Sequence, residues 1–254
     1  MERSMNMRFA LITDIHGNMP ALKAALHEID TLHDVDSIYC LGDMIGIGPD
    51  TNEVLHALFS RDDISFVSGN HDEAVLAIIN GEPYPESHFH SERHHKWIAD
   101  RMDKSFVPLL ERMPRMIRTE AYGKSMLFTH YHIARDKFSD PISKDPFSPI
   151  VEPSLSNLEK LFDGYEDALI GFGHHHPVHY FRSERQAFVN PGSLGCNNKS
   201  TARYAIVTVC EQGFEVQLQE AEYDNSAFLA SYEKLDVPDR EFILRVFHGD
   251  QLRE

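Results

Sequence analysis

Five short polar segments of this chain carry side chains that could bind metal ions or transfer protons. They are Asp14-Ile15-His16, Gly42-Asp43, Gly69-Asn70-His71-Asp72, Thr129-His130 and Gly173-His174-His175-His176. Taken singly, most of them are more often a turn, a helix cap or a surface histidine than a functional site. Taken together, they offer the oxygen and nitrogen ligands that Mn, Fe, Zn or Ni ions accept.

The spacing within two of the segments favours shared ligation of one ion. In an extended backbone, residues two apart project to the same side. Asp14 and His16 would therefore reach one ion, and so would His174 and His176. The adjacent His175 would point the opposite way, although a register that pairs His174 with His175 stays open.

Each polar segment follows a predicted strand. Apolar, strand-like runs occupy residues 8–13, 37–41, 64–68, 125–129 and 168–172. Helical patterns follow the first three runs, at residues 19–32, 50–60 and 74–79. Three successive strand-to-helix units predict a largely parallel sheet, whose C-terminal edge would gather the polar residues.

The rest of the chain predicts two helical additions and more strands. The pattern at residues 81–114 predicts a small helical cap. We expect its four histidines on a solvated helix face, with contact to a phosphate or a third metal as the alternative. These histidines are His88, His90, His94 and His95. Runs near residues 203–209 and 214–220 predict antiparallel strands. A tail at about 222–254 predicts two helices whose apolar face packs on the core or, alternatively, forms a homo-oligomer contact. We interpret residues 1–254 as one domain that includes the cap and the tail.

Composition restricts the class of protein. The chain has 254 residues, 42% of them apolar, and lacks a run of about 18 apolar residues that could span a membrane. Its 24 basic and 40 acidic residues give a net charge of −16, which would repel nucleic acids over most of the surface. Three scattered cysteines and the absence of a signal-peptide pattern indicate a reducing compartment, so we expect a cytoplasmic protein.

In their order along the chain, the five segments resemble the signature of the calcineurin-like metallophosphoesterase superfamily. That signature reads D-x-H, G-D, G-N-H-D/E, a histidine at a strand end, and G-H-x-H. The resemblance extends over residues 8–210, and residues 13–18 and 190–193 also match its small bacterial and archaeal phosphoesterase group. It implies an α/β fold in which two sheets form a sandwich flanked by helices.

The resemblance also implies a site for two divalent metal ions. One ion would be bound by Asp14, His16 and His176, the second by Asn70, His130 and His174, and Asp43 would bridge the two. His71 would be the general acid for the leaving group, with Asp72 on its other ring nitrogen. The chain would then be a metal-dependent phosphoric ester hydrolase in which a metal-bound hydroxide attacks a small phosphodiester or nucleotide.

Departures from the signature leave alternatives open. Tyr131 and His132 follow the strand-end histidine where the family usually has a small residue, so His132 is an alternative ligand or a partner of the ligand His130. A protein phosphatase of the same fold is the nearest alternative enzyme. A non-catalytic scaffold is the alternative from another class, but a scaffold would be expected to have lost a ligand or the acid, and this chain retains them all.

Overall fold

Two β-sheets pack face to face in the computed structural model, which describes residues 6–251. The strands are β1 (Met7–Ile12), β2 (Ser37–Cys40), β3 (Ile64–Phe66), β4 (Met116–Ala121), β5 (Lys124–Thr129), β6 (Leu169–Gly171), β7 (His179–Arg182), β8 (Ala187–Asn190), β9 (Thr201–Cys210) and β10 (Gly213–Glu222). The helices are α1 (Met19–Leu32), α2 (Thr51–Phe59), α3 (Asn70–Asn80), α4 (Glu92–Arg101), α5 (Val107–Leu110), α6 (Leu155–Leu161), α7 (Ser226–Lys234) and α8 (Arg240–His248). Within residues 6–251, none of these helices is long and apolar enough to cross a membrane. The predicted α/β sandwich flanked by helices is confirmed.

Each sheet combines parallel and antiparallel strands. The strand order is β10-β9-β1-β2-β3 in the first sheet and β4-β5-β6-β8-β7 in the second. Strands β1, β2 and β3 run parallel, as do β5, β6 and β8, whereas β10, β9, β4 and β7 are antiparallel to their neighbours. The predicted parallel arrangement of the first three strands and the predicted antiparallel pair near residues 203–209 and 214–220 are both confirmed. Only Glu211 and Gln212 separate β9 from β10, and so short a turn can join only antiparallel strands.

Strand β1 shows how the core divides into two layers. Phe9 and Leu11 point into the space between the sheets, where the ring of Phe9 lies 5.5 Å from that of Phe128 on β5. Ala10 and Ile12 point the other way and pack against the helices that cover the first sheet. A strand that is covered on both faces is expected to be continuously apolar rather than alternating, and β1 is so over its buried part, from Phe9 to Ile12.

Helices α1 and α3 begin directly at polar segments. The side chain of Asn18 accepts a hydrogen bond from the backbone N–H of Ala21 at 3.1 Å, and Pro20 lies in the first turn, so α1 is capped where it was predicted to begin. Helix α3 begins at Asn70, four residues before the predicted helical pattern, so the segment that contains His71 is the first turn of the helix. The helix N-terminus thereby faces the ends of the strands.

The cap consists of a 3₁₀ helix (Glu86–Ser91) followed by α4 and α5. The prediction of a solvated histidine face is wrong for three of its four histidines. His94 and His95 are buried and His88 is half-buried, whereas His90 is exposed. The reason is the orientation of α4, which packs on α3 and turns His95 toward the strand ends.

The tail formed by α7 and α8 packs on the loops at the polar edge of the sandwich. The apolar side chains of the tail cluster with Ile47 and Cys196, which belong to those loops. His248 is buried within this cluster, and its Nε2 lies 3.1 Å from the hydroxyl of Tyr232. The attachment of the tail therefore includes a buried titratable group.

We predict that the chain loses stability in mild acid because of His248. Burial lowers the pKa of His248 from 6.5 to about 4, so the folded chain holds this imidazole neutral where the unfolded chain protonates it. The unfolded state then binds more protons between the two values. The free energy of unfolding should fall as the pH falls through this window, by about 2 kcal/mol at pH 5.

The measurement is urea unfolding at about pH 7.5 and pH 5 for three chains. They are the native chain, the variant His248→Asn and the control variant His56→Asn, in which the replaced histidine is exposed. Only His248→Asn should show a smaller loss on acidification, and equal losses in all three chains would contradict the prediction.

Candidate metal centre

The predicted ligand residues meet at one edge of the sandwich, where strands of both sheets end. Asp14 and His16 follow β1, Asp43 follows β2, Asn70 begins α3, His130 follows β5, and His174 and His176 follow β6. All are buried except His174 and His176, which are half-buried. Both sheets therefore contribute side chains to one largely enclosed cluster.

The backbone that presents several of these residues is left-handed rather than extended. The φ angle is 53° at Asp14, 50° at His16, 52° at Asp43 and 68° at His174. The argument from an extended backbone is therefore wrong; of the two pairs that it predicted, Asp14 and His16 do lie together, whereas His174 and His176 contact different partners. Non-glycine residues seldom adopt this conformation, and strained residues concentrate at functional sites.

Hydrogen bonds between neighbouring loops hold this conformation. The backbone N–H groups of Asp14 and His16 donate to the carbonyl oxygens of Gly42 and Asp43, each at 3.0 Å. The loop after β3 packs closely against Asp43 because it has a glycine at the contact. A Cβ on Gly69 would lie 2.1 Å from Oδ1 of Asp43, which is too close for any other residue. The loops after β1, β2 and β3 are thus fixed relative to one another.

The first set of donor atoms consists of Asp14, His16 and His176. Oδ1 of Asp14 lies 3.6 Å from Nε2 of both histidines, and these two nitrogens lie 3.1 Å apart. This carboxylate oxygen is buried without a hydrogen-bond partner among the described residues. The other oxygen, Oδ2, accepts from the hydroxyl of Thr13 and the backbone N–H of His174. A buried carboxylate oxygen that faces two imidazole nitrogens suits a bound cation.

The second set consists of Asn70, His130 and His174. Oδ1 of Asn70 lies 2.8 Å from Nε2 of His130 and 2.7 Å from Nδ1 of His174. Oδ2 of Asp43 lies 3.3 Å from Nε2 of His130 and 3.9 Å from Nε2 of His16. The Asp43 carboxylate therefore stands between the two sets of donors.

The spacing and chemistry of both sets fit metal ions. Atoms that each bind one ion at about 2.0–2.2 Å must lie about 3 Å apart, and the separations within each set have this size. The imidazoles of His16 and His130 are oriented by carbonyl oxygens, since Nδ1 of each faces one, from Ile45 at 3.2 Å and Leu41 at 2.8 Å. A proton on Nδ1 leaves Nε2 free as a ligand atom, an arrangement common for metal-binding histidines.

Charges within the cluster keep its carboxylates ionised. Burial raises the pKa of Asp14, but the nearby imidazoles of His16 and His130 outweigh it and bring the pKa to about 2. Burial lowers the pKa of His130, but the neighbouring Asp43 outweighs it and raises the pKa to about 9. Burial lowers the pKa of His174 to about 3. Because His130 carries the compensating positive charge here, binding of a cation would displace its proton.

His71 has a different partner from the one expected. Its Nδ1 lies 2.8 Å from Nε2 of His95, whose Nδ1 lies 2.7 Å from the hydroxyl of Tyr84. The Asp72 carboxylate instead accepts hydrogen bonds from the backbone N–H groups of Asp43, at 2.9 Å, and Met44, at 3.0 Å. The predicted contact between Asp72 and the His71 ring is therefore wrong, because the carboxylate is used to position the loop after β2.

The two alternative ligand histidines point away from the cluster. Nδ1 of His132 faces the hydroxyl of Ser148 at 2.8 Å, and its ring packs on Phe162. Nδ1 of His175 lies 2.9 Å from Nε2 of His179. The geometry thus brings His174 and His176 to the centre in place of His175, one in each set, and places His130 in the second set.

Two residues near the centre were missed by sequence reasoning. His95 shares the buried face of α4 with Ile98 and Ala99, and this helical spacing is the signal that could have found it. The thiol of Cys196 lies within 4.8 Å of ligand atoms of His16 and His176. Burial raises the pKa of this thiol well above its ordinary value, so it is a neutral neighbour of the first set.

We predict that Asp72→Asn destabilises the chain through the loop after β2. The side-chain amide of the variant would turn its own N–H donors toward backbone N–H groups that now donate hydrogen bonds to the Asp72 carboxylate. The free energy of unfolding should fall by about 1–3 kcal/mol, measured by urea unfolding, with the exposed Asp62→Asn as the matched control. Unchanged stability in Asp72→Asn would show that these hydrogen bonds do not hold the loop.

Comparison with known proteins places this geometry in a family. A protein of Methanocaldococcus jannaschii with no assigned function is 25% identical over 234 residues, which cover 89% of this chain and 90% of that protein. The symmetrical bis(5'-nucleosyl)-tetraphosphatase of Citrobacter koseri is 38% identical over 72 residues, which cover 28% of this chain and 26% of that enzyme. The crystal structure of a metallophosphoesterase from Sphaerobacter thermophilus has the same fold, with a TM-score of 0.68 at 22% identity over 95% of this chain and 98% of the other.

A family model described as the calcineurin-like phosphoesterase superfamily domain matches residues 7–212. This range contains both sets of donor atoms, His71 and the cap, and it ends before the tail. The chain therefore belongs to the calcineurin-like phosphoesterase superfamily and is a phosphoric ester hydrolase, as the order of its five polar segments predicts.

Proposed function

We propose that this chain hydrolyses a small phosphodiester or nucleotide with the help of two divalent metal ions. The observation that carries the proposal is the position of Asp43, whose Oδ2 lies 3.3 Å from His130 and 3.9 Å from His16. One carboxylate oxygen thus faces ligand atoms of both donor sets. The unpartnered Oδ1 of Asp14 supports the same conclusion for the first set.

In this proposal each donor set holds one ion. Asp14, His16 and His176 bind the first, Asn70, His130 and His174 bind the second, and Asp43 bridges them. Mn, Fe, Zn and Ni all accept such mixed oxygen and nitrogen ligands. Two bound ions of this kind polarise phosphoryl oxygens and lower the pKa of bound water.

The remaining residues orient the ligands and move a proton. Nδ2 of Asn70 lies 2.8 Å from Nε2 of His88, which directs Oδ1 of the amide toward His130 and His174. His71 has its Nδ1 engaged by His95, so its Nε2 is the nitrogen left to protonate a leaving group. Burial lowers the pKa of His71 well below its ordinary value. A phosphate anion beside the ring would oppose this effect and favour the protonated form.

A small substrate fits the surroundings of the centre. The cap lies next to His71, and the tail contacts His176 through Phe247, with ring centroids 5.6 Å apart. These contacts support our proposal that cap, tail and sandwich form one domain, and they narrow the approach for a folded phosphoprotein. The partial similarity to a bis(5'-nucleosyl)-tetraphosphatase supports a nucleotide as the substrate.

The first test counts metal ions. Chelated protein that is reloaded with Mn²⁺ and desalted should contain two ions per chain and should hydrolyse bis(p-nitrophenyl) phosphate only when loaded. Asp43→Asn should weaken binding of both ions, because it removes the charge of the shared ligand, and should lower kcat by about a hundredfold or more. The exposed Asp62→Asn is the control.

Thermal unfolding with and without Mn²⁺ gives a second readout, since an ion that binds only the folded chain raises Tm. Asp43→Asn should lose most of this rise. One ion per chain in the fully loaded native protein would overturn the two-ion proposal.

The second test concerns His71. His71→Ala should lower kcat by about 10²–10⁴-fold for diesters with alkoxide leaving groups, which need a proton. The loss should be much smaller for p-nitrophenyl esters, whose phenolate departs without one. Metal content should stay at the native value, and the exposed His56→Ala should behave as the native chain. Equal losses for both kinds of ester would show that His71 is not the leaving-group acid.

A further inference from the structure

A cavity of about 420 Å³ opens beside the candidate metal centre, between the cap and the tail. Its walls come from four parts of the chain, one of which is α3. The loop after β2 contributes Ile47, the cap contributes Ser91 and His94, and α8 contributes Phe242 and Phe247. Helix α8 lies outside the family match, which ends at residue 212. This cavity is therefore a feature that the common domain does not supply.

The cavity adjoins the candidate metal centre. His71, the proposed leaving-group acid, lies in its wall. Phe247, which also lines it, has its ring 5.6 Å from the ring of His176. A substituent on a phosphate held at the centre would therefore enter the cavity.

The lining is apolar and aromatic with a polar rim. Ile47 and Ile243 are buried, whereas the ring of Phe242 is 52% exposed although it lines the cavity. An exposed aromatic face in a pocket is available for stacking. His94 adds a neutral ring, because burial lowers its pKa to about 4. The volume lies within the range of small-molecule sites, at about 300–1,000 Å³.

The polar residues of the cavity select against a second anionic group. Asp239 is exposed and lines the cavity together with Ser91 and His90. Its carboxylate would repel a phosphate but accept hydrogen bonds from N–H groups of a neutral ligand. A ligand with an alkyl chain here would remove these polar groups from water without forming hydrogen bonds to them, which would disfavour its binding.

We propose that this cavity binds the nucleobase of the substrate, with the attached phosphate at the metal centre. The proposal rests on the proposed function, and it specifies the substrate class as a nucleotide ester. The base stacks on Phe242 and presents N–H groups toward Asp239. Base stacking on an aromatic side chain changes affinity by about tenfold or more.

The first experiment measures binding without metal, so that it does not depend on catalysis. The chelated chain is titrated with adenosine and with ribose, and binding is followed by NMR chemical shifts. Adenosine should bind saturably and ribose should not. Phe242→Ala should weaken adenosine binding by about tenfold, whereas Val246→Ala, at an exposed residue of the same helix outside the cavity, should not.

The second experiment compares kcat/KM of the metal-loaded enzyme for two esters. They are the p-nitrophenyl ester of adenosine 5'-monophosphate and that of ribose 5-phosphate. The native chain and Val246→Ala should favour the adenosine ester by about tenfold or more, and Phe242→Ala should lose this preference.

The outcomes separate the two proposals. Adenosine binding that depends on Phe242, in a chain that hydrolyses neither ester, would support the cavity and overturn the proposed function. Hydrolysis of both esters at equal rates, with adenosine bound no better than ribose, would overturn the nucleobase site and leave the phosphoesterase proposal standing.

Discussion

The burial of two carboxylates, Asp14 and Asp43, is the constraint on which the rest of the structure depends. An ionised carboxylate is strongly destabilised away from water unless charges or N–H donors surround it. The strand ends supply both: imidazoles approach from the two sheets, and backbone N–H groups of His71 and His174 donate to the carboxylates. These requirements explain why the loops after neighbouring strands are hydrogen-bonded to one another, and why Gly69 must lie where a Cβ would collide with Asp43.

Around this shared centre, the cap and the tail contribute what is particular to this chain. His95 reaches from α4 to the ring of His71, in a position where a carboxylate was expected. The tail packs its apolar residues on Ile47, which lies in the loop that carries Asp43, and on Cys196, which lies beside the first set of donor atoms. The sandwich thus presents the reactive groups, while the two helical additions enclose them and shape the space that a substrate must enter.

The sequence predicted the fold and the gathering of polar side chains at the strand ends better than the backbone conformation that presents them. Buried strands such as β1 contain continuous apolar runs, so strands and following helices could be located, and five ordered segments identified the family. The left-handed backbone at Asp14 and His16 could not be predicted, because hydrogen bonds to another loop impose it. Long-range packing also decided the burial of His94 and His95 and the partners of Asp72. The spacing of His95 with Ile98 on α4 was a signal that helical periodicity alone would have revealed.

The left-handed residues at the centre bear on whether the site could be transplanted into another protein. Each such non-glycine residue is less stable than its ordinary conformer by about 1–2 kcal/mol, and Asp14, His16 and Asp43 all adopt it. A synthetic peptide that copies residues 13–18 would relax into other conformers and scatter its ligands. A designer who grafts this candidate centre onto a different parallel sheet must therefore transfer the pair of hydrogen-bonded loops together with the Asp72 carboxylate, because the arrangement of donor atoms belongs to the loops jointly and to neither segment alone.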